Sequence, residues 1–426
     1  MRFARLGLVV CMLGVVAGGG RIAEGRSLSN QLSSFISNSP RSFPGLSSAL
    51  GLTSFPDPLG PVFTRLASLA TDFPVVSTTP GYVYLYDPSV GAFVRSSASL
   101  GPVFLERSET IGAGHVSVGF YYLYGNVNRF DGNDLGQGLQ ESVRIASGGR
   151  QFDVGQTFSS IEIPTHKFNF LATYGVTDNW DVDLLLPLVL THLNVSGKPL
   201  FKEVGGQSVA AQSNGFDEGS FGVGDLLLRT KYRFGNLMGV GVAGGMTLRF
   251  PTGSDENFHG LGDWTLEPAL ILSGIVFGHQ DVHANLGMEF NASDAAATRA
   301  RYGVGVTLQT ETLDWVALLI DVIGVSSLDN ETITTTARPP TLNPGDQFLG
   351  YTLPAAFSPV QGKTLNPNGT LNYQFTIPRT DQVSIAPGLK FKIGDGGIAY
   401  LSAIVPLTQQ GLQASVIAAV GAEYDF

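Results

Sequence analysis

With 426 residues, 14% of them charged, a formal net charge of -10 and a mildly positive mean hydropathy, the chain is neither a disordered acidic tail nor a basic nucleic-acid binder. A soluble α/β enzyme would carry about 25% charged residues, so much of this chain's surface is expected to avoid water, yet no stretch after residue 20 is the run of about 18 apolar residues that a spanning helix needs. A membrane chain without spanning helices must satisfy its backbone by closing into a β-barrel.

Arg2 and Arg5 make a basic start, Leu6 to Ala17 an apolar run too short to span, and Ala17 to Gly20 a small-residue zone. Together they predict an export signal over residues 1–20. The only cysteine, Cys11, lies inside that signal, so disulfides, thiolate metal sites and a cysteine nucleophile are excluded from the mature chain. Residues 21–112 read as an N-terminal extension, rich in Ser, Pro and Leu from Ser27 to Pro80, with prolines there at 40, 44, 56, 58, 61, 74 and 80. Within it, residues 82–95 alternate on either side of a Pro/Gly turn and predict a β-hairpin. That hairpin either helps the extension plug a lumen or adds two strands to a wall.

From residue 113 the alternation becomes regular, and about twelve candidate strands follow. They lie near 114–124, 163–175, 180–194, 221–234, 239–251, 264–277, 282–292, 300–311, 314–326, 381–393, 397–408 and 412–426. Short turns at 177–179, 235–238, 278–281, 312–313 and 394–397 fall at every second connection, whereas 125–162, 195–220, 252–263 and 327–380 are mostly long. Outer-membrane barrels have this asymmetry, with short periplasmic turns and longer outside loops, and an even strand count puts both barrel ends in the periplasm. The prediction is all-β: a transmembrane antiparallel up-and-down barrel over 113–426, of about 12 strands, or 14 if the hairpin joins the wall, in the outer membrane of a Gram-negative cell.

Strand faces divide accordingly. In the fourth strand Leu226, Leu228, Tyr232 and Phe234 point one way and Asp225, Arg229, Lys231 and Arg233 the other. The seventh sets Val282, Ala284, Leu286, Met288 and Phe290 against His283, Asn285, Glu289 and Asn291, and the eighth and tenth put Arg301, Gln309, Glu311, Lys390 and Lys392 on the polar side. The last fifteen residues, LQASVIAAVGAEYDF, assign Leu412, Ala414, Val416, Ala418, Val420, Ala422, Tyr424 and Phe426 to lipid and Gln413, Ser415, Glu423 and Asp425 to a polar interior. This terminal strand is the expected handle for the barrel-assembly machinery. Trp180, Trp264 and Trp315 stand at strand beginnings and, with Tyr424 and Phe426, fit an interfacial girdle in contact with outer-membrane lipid.

Three segments carry a resemblance. They are FNFLATYGVTDNWDVDLLLPLV from Phe168, GVGDLLLRTKYRF from Gly222 to Phe234, and the Arg-Phe-Pro-Thr-Gly run ending at Gly253. The chain from about residue 160 to its end resembles the outer-membrane barrels grouped as the meta-pathway phenol-degradation family. That likeness implies a transporter of small aromatic or hydrophobic compounds and leaves the extension unexplained. A more distant likeness is to long-chain fatty-acid channels, which combine a barrel with an N-terminal plug.

The expected inward row holds Arg229, Lys231, Arg233, Arg249, Lys390 and Lys392 against Asp183, Asp225, Glu267, Glu289 and Asp321, charges that either shape a constriction or simply pair. Asp183 and Asp225 lie beside short turns, which suggests anchoring at the periplasmic end. Two segments could narrow the lumen: the extension, and the 327–380 loop with Phe348, Tyr351, Phe357 and Tyr373. Lipid hydrolysis would need a serine and a histidine at the lipid boundary; His115 and Ser117 share a face, and His192 ends the third strand, but no G-x-S-x-G accompanies them. His166, His259, His279 and His283 lack carboxylates at ligand spacing, and no glycine pattern sits between a strand and a helix, so neither a metal nor a nucleotide cofactor is expected. The reading is a non-enzymatic channel for passive passage of a small, hydrophobic or aromatic solute, with a structural or adhesive surface barrel as its alternative.

Overall fold

The computed structural model describes residues 21–22, 27–32, 60–79, 81, 83–87, 92–96, 100–137, 139–147, 150–202, 208–210, 214–276, 280–310, 313–337, 347–348, 351–352, 366–368, 370–394 and 396–426. Twelve wall positions follow in chain order: β1 (Val116–Phe130), β2 (Arg150–Thr177), β3 (Trp180–Lys202), β4 in two halves (Asn214–Val223 and Leu226–Leu237), β5 (Val240–Phe250), β6 (Thr265–Val276), β7 (Gln280–Asn291), β8 (Arg299–Thr310), β9 (Leu313–Ser327), β10 (Asp381–Ile393), β11 (Gly397–Pro406) and β12 (Leu412–Asp425). Each pairs antiparallel with the next, and β12 returns to β1 with Asp425 opposite Ser117 and Leu412 opposite Phe130. Closure leaves no edge, which is what hydrocarbon demands of a sheet.

Alternation builds this wall because each strand offers an apolar row to lipid and a small or polar row to the inside. Phe170, Tyr174, Leu184, Leu186, Tyr232, Leu286, Val304 and Val420 are exposed outward, while their neighbours Asn169, Thr173, Asp183, Lys231, Asn285 and Ala419 are buried or half-buried. The turns at 178–179, 238–239 and 394–396 and both barrel ends share one rim. At the second of these Met238 (φ 51°) and Gly239 (φ 86°) both have positive φ, as a two-residue type I′ hairpin requires. At the other rim β2 and β3 rise beyond the wall, where they pair with residues 139–147 and 208–210.

Among the described residues the hairpin strands 83–87 and 92–96 pair only with each other, so the wall has the expected twelve strands without a further two from the hairpin; their connecting turn, 88–91, lies outside the described residues. Two expectations need correction. The last strand does not alternate throughout. Register shifts between Gln413 and Ala414 and between Ala414 and Ile417 turn Leu412 and Ala414 inward, where both are buried, while Val416, Ala418, Val420, Ala422, Tyr424 and Phe426 stay outside. A bulge inserts a residue and so reverses the faces beyond it. The fourth strand is interrupted at Gly224–Asp225, where the Gly224 amide bonds the Pro187 carbonyl at 2.8 Å.

The packed core sits in the lumen. Leu28, Leu32, Ala67, Phe73, Val76, Val103 and Phe104, all from the N-terminal region, bury against Tyr121, Leu123, Val127, Leu185, Leu227, Leu319, Ile404 and Ile417 of the wall. The export signal predicted for 1–20, and with it Cys11, falls outside the described residues.

Candidate functional site

One segment threads the barrel from rim to rim. It starts at the loop rim with helix α1 (Gly60–Thr71), whose Arg65 pairs with Asp263 (3.3 Å) and Glu331 (2.8 Å), and whose Ser68 and Thr71 hydroxyls donate to the Asp255 and Phe258 carbonyls of the 251–264 loop. The chain then descends through Asp72, Val76 and Thr79 to Gly81, whose amide bonds Glu423 near the turn rim. From Leu100, whose carbonyl accepts from Lys390, the segment crosses the floor to Ile111, whose amide donates to Asp181. Backbone groups of this irregular segment would be unsatisfied in a dry lumen. The wall supplies their partners: Asp321 accepts from the Val103 and Phe104 amides (3.3 and 3.1 Å), Asn285 from Glu106 (2.6 Å), and Ser273 from Ser108 (2.8 Å).

Wall glycines make room for it. A side chain at Gly125 would come within 2.7 Å of Phe73, one at Gly303 within 2.5 Å of Leu105, and one at Gly175 would strike the Gly112 backbone.

Two ion-pair clusters hold the segment at different heights. Nearer the loop rim Asp72 lies 3.1 Å from Arg249, 3.2 Å from Arg299 and 2.9 Å from Arg301, and the last two also bind Glu289. Burial alone would raise the Asp72 carboxyl, but Arg249, Arg301 and Arg299 overcome it and hold the group well below the usual carboxylate range. Lower down, Arg229 pairs with Asp183 at 2.7 Å and donates to the Val76 carbonyl, and Lys231 bonds the Thr79 hydroxyl. Glu106 lies 3.7 and 3.8 Å from these two cations. Burial again works against its ionisation, yet Lys231, Arg229 and bonds from Thr78 keep it lower than usual.

The predicted inward residues therefore meet in groups. Arg229, Lys231 and Asp183 form one; Arg249, Glu267 and Glu289 belong to the other; Asp321 and Lys390 each grip the threaded segment separately. Arg233 stays apart, donating to Asn236 beside a turn, and Lys392 is half-buried at the same rim. Asp225 does not anchor the periplasmic end. It accepts from the Gly253 and Leu261 amides (3.0 and 2.8 Å) and so ties the 251–264 loop at the opposite rim, because the break at Gly224 places it where β4 meets that loop. The Nε2–H of His259 in this loop donates to the Ser220 carbonyl at 3.2 Å, and burial pushes its imidazole down to about 4.

Between the segment and the wall lies a cavity of about 250 Å³. Phe73, Phe104, Ile323, Ile404 and Ile417 form its apolar side, and charged residues of both clusters, Glu106, Glu267 and Arg301 among them, line the rest. A smaller space of about 60 Å³ beside Arg65, Leu66 and Leu69 lies toward the loop rim. In the 327–380 loop, residues 331–337 and 371–377 pair as a ribbon that includes Tyr373, and Glu331 from it meets Arg65; Phe357 lies outside the described residues, as do Glu311 and His279.

On the outer surface Trp180, Trp315, Tyr424 and Phe426 are exposed near the turn rim and Trp264 near the loop rim, so exposed aromatics stand at both rims. Trp180 donates to Thr230 at 2.7 Å, and Trp264 packs on Phe250. Between them lies a band of exposed apolar side chains, the surface that a lipid-spanning barrel presents. Ser117 is buried on the inner side of β1, away from lipid, and His115 contacts the terminal carbonyl of Phe426 at 3.3 Å. Among the described residues no group of three potential metal ligands occurs.

Asp72 and Glu106 escaped the sequence reading. The signal for them was present as an excess of inward cations on β4, β5 and β8, which calls for carboxylates from outside the wall.

Residues 144–317, less than half of the chain, match the family described as "Putative MetA-pathway of phenol degradation". No curated protein matches the sequence. Among solved structures the chain is similar to the COG4313 outer membrane channel from Pseudomonas putida F1 (11% identity, TM-score 0.42, covering 75% of this chain and 98% of that one). It is also similar to the KdgM porin (7%, 0.34, 73% and 99%) and to the CymD monoaromatic hydrocarbon channel (11%, 0.26, 89% and 97%).

Proposed function

We propose that this barrel is a plugged channel for passive passage of small hydrophobic or aromatic molecules across the outer membrane. The observation that carries the reading is the threaded segment: it fills the lumen through hydrogen bonds and ion pairs, among the described residues 60–111 joins no wall strand in a ladder, and leaves a cavity large enough for a small solute. The part of residues 21–112 that lies inside is the plug, residues 1–20 are an export signal removed before assembly, and β12 with its terminal Phe426 is the strand presented to the barrel-assembly machinery. The phenol-degradation description of the matched family favours an aromatic solute. No step of such passage requires a catalytic residue.

The test is single-channel conductance in a planar bilayer, comparing the mature chain with one lacking residues 27–110. Discrete conductance that grows on deletion is the expected result. Silence from both folded forms would overturn the channel reading and favour a surface role for the long outer loops.

A further inference from the structure

The charged groups that line the cavity differ in what they leave free. Asp72, Asp183, Arg229, Lys231 and Arg249 are paired with opposite charges and no more than 10% exposed, whereas the side chains of Glu106, Glu267 and Arg301 keep 22%, 21% and 20% of their exposure. Glu106 already accepts from the Thr78 amide and hydroxyl, both at 2.7 Å. Arg301 is engaged by Glu289 and Asp72. Among the described residues Arg301, at 3.6 Å, is the one cation within ion-pair distance of Glu267, and no hydrogen bond reaches it. Gly287 faces it across β6 and β7, where a Cβ would lie 2.7 Å from its Oε1, so the wall leaves that oxygen room.

We propose that Glu267 sets the charge selectivity of the cavity: it accepts a hydrogen bond from a neutral, hydroxyl-bearing small molecule and turns carboxylates away. An apolar cavity of about 150 Å³ already admits benzene, so about 250 Å³ accommodates one ring with a short polar substituent. A hydroxyl gives Glu267 the donor it lacks while the ring lies against Phe73, Phe104 and the isoleucines. A carboxylate brings no donor and meets two exposed carboxylates, Glu106 and Glu267, while the cations of the lining are all paired with acids, Arg229, Lys231 and Arg249 being 10% exposed or less and Arg301 shared among Asp72, Glu267 and Glu289.

This inference rests on the lumen being the solute path, but binding and passage can be measured apart. Isothermal titration of the full mature barrel in detergent, using benzyl alcohol and benzoate as size-matched probes at pH 7, is expected to show the alcohol at least tenfold tighter. In Glu267→Gln, which keeps an acceptor oxygen and loses the charge, the gap should narrow to within threefold; in Glu267→Leu the alcohol should weaken at least fivefold. Equal binding of both probes to the unaltered protein, no alcohol binding to it, or a preference that survives in Glu267→Gln would overturn the proposal. Selective binding without flux into liposomes would remove the channel reading and keep this one; flux without selectivity would do the reverse.

Discussion

Asp72 joins one point of the plug to two strands of the wall. Its two oxygens sit within 3.2 Å of guanidinium groups on β5 and β8, and its side chain is only 7% exposed. Removing one partner from a buried charge cluster costs about 3–5 kcal/mol, because the remaining charges stay desolvated. Asp72→Asn should therefore loosen the plug without opening the wall, seen as more frequent or larger openings in bilayers while the heat-induced gel shift of a folded barrel persists. The direction of the shift fixes the pH response. A carboxyl held below its unfolded value, about 3.9, contributes stability that is complete above that value and fades only as pH falls through the folded one. The native channel should thus stay closed at pH 4.5, a condition that leaves Asp72 charged; acid-induced opening at that pH in the native protein, matching the Asn variant, would contradict the clamp. Asp72 was illegible in the sequence because it follows a helix in a region with no inside and outside, whereas Arg229 and Glu289 could be placed by strand period alone.

At the level of elements, alternation located every wall strand, since each lies between lipid and a polar lumen and a period of two follows from that environment. It failed where the backbone leaves the regular pleat. Leu412 and Ala414 were assigned outward because a bulge leaves no trace in residue type, and Asp225 was placed at the wrong rim because the interruption of β4 depends on a loop returning from elsewhere in the chain. The inward glycines were a further, unread signal: they are sites where β1, β2 and β8 admit the plug rather than a general feature of barrel strands. Gly125 on β1 is the clearest, because a Cβ there would meet only side chains, Phe73 at 2.7 Å and Ile417 at 3.0 Å. Overpacking costs about 1–3 kcal/mol. Gly125→Val should lower the midpoint of the heat-induced gel shift or raise conductance, and the effect should shrink in combination with Phe73→Ala. Direct contact predicts a coupling of at least about 0.5 kcal/mol in that double-mutant cycle; strictly additive effects would mean that Phe73 does not pack there.

For the whole molecule the open issue is mechanical: a solute either passes beside a stationary plug, through the cavity against Phe104 and Ile404, or waits for the plug to move. The floor of the plug, from Arg107 to Ile111, is closed by backbone bonds to Ser273 and Asp181, with the Ser108 Cβ 3.2 Å from where a Cβ on Gly241 would stand. That spacing is close to the Cβ separation of a disulfide, about 3.5–4.5 Å, and the sole native cysteine, Cys11, lies in the predicted export signal. A Ser108→Cys, Gly241→Cys pair would therefore form one unambiguous tether between plug and wall. If the plug must shift, oxidation should abolish uptake of a small aromatic probe into liposomes and reduction should restore it, with each single cysteine variant unaffected. The ion pairs favour this outcome, since the plug is fixed by contacts that can break and re-form without disturbing the wall's ladder of hydrogen bonds. Uptake that continues at the same rate in the oxidised double variant would instead establish a path past a fixed plug, and would make the cavity lining, Glu267 included, the whole of the selectivity filter.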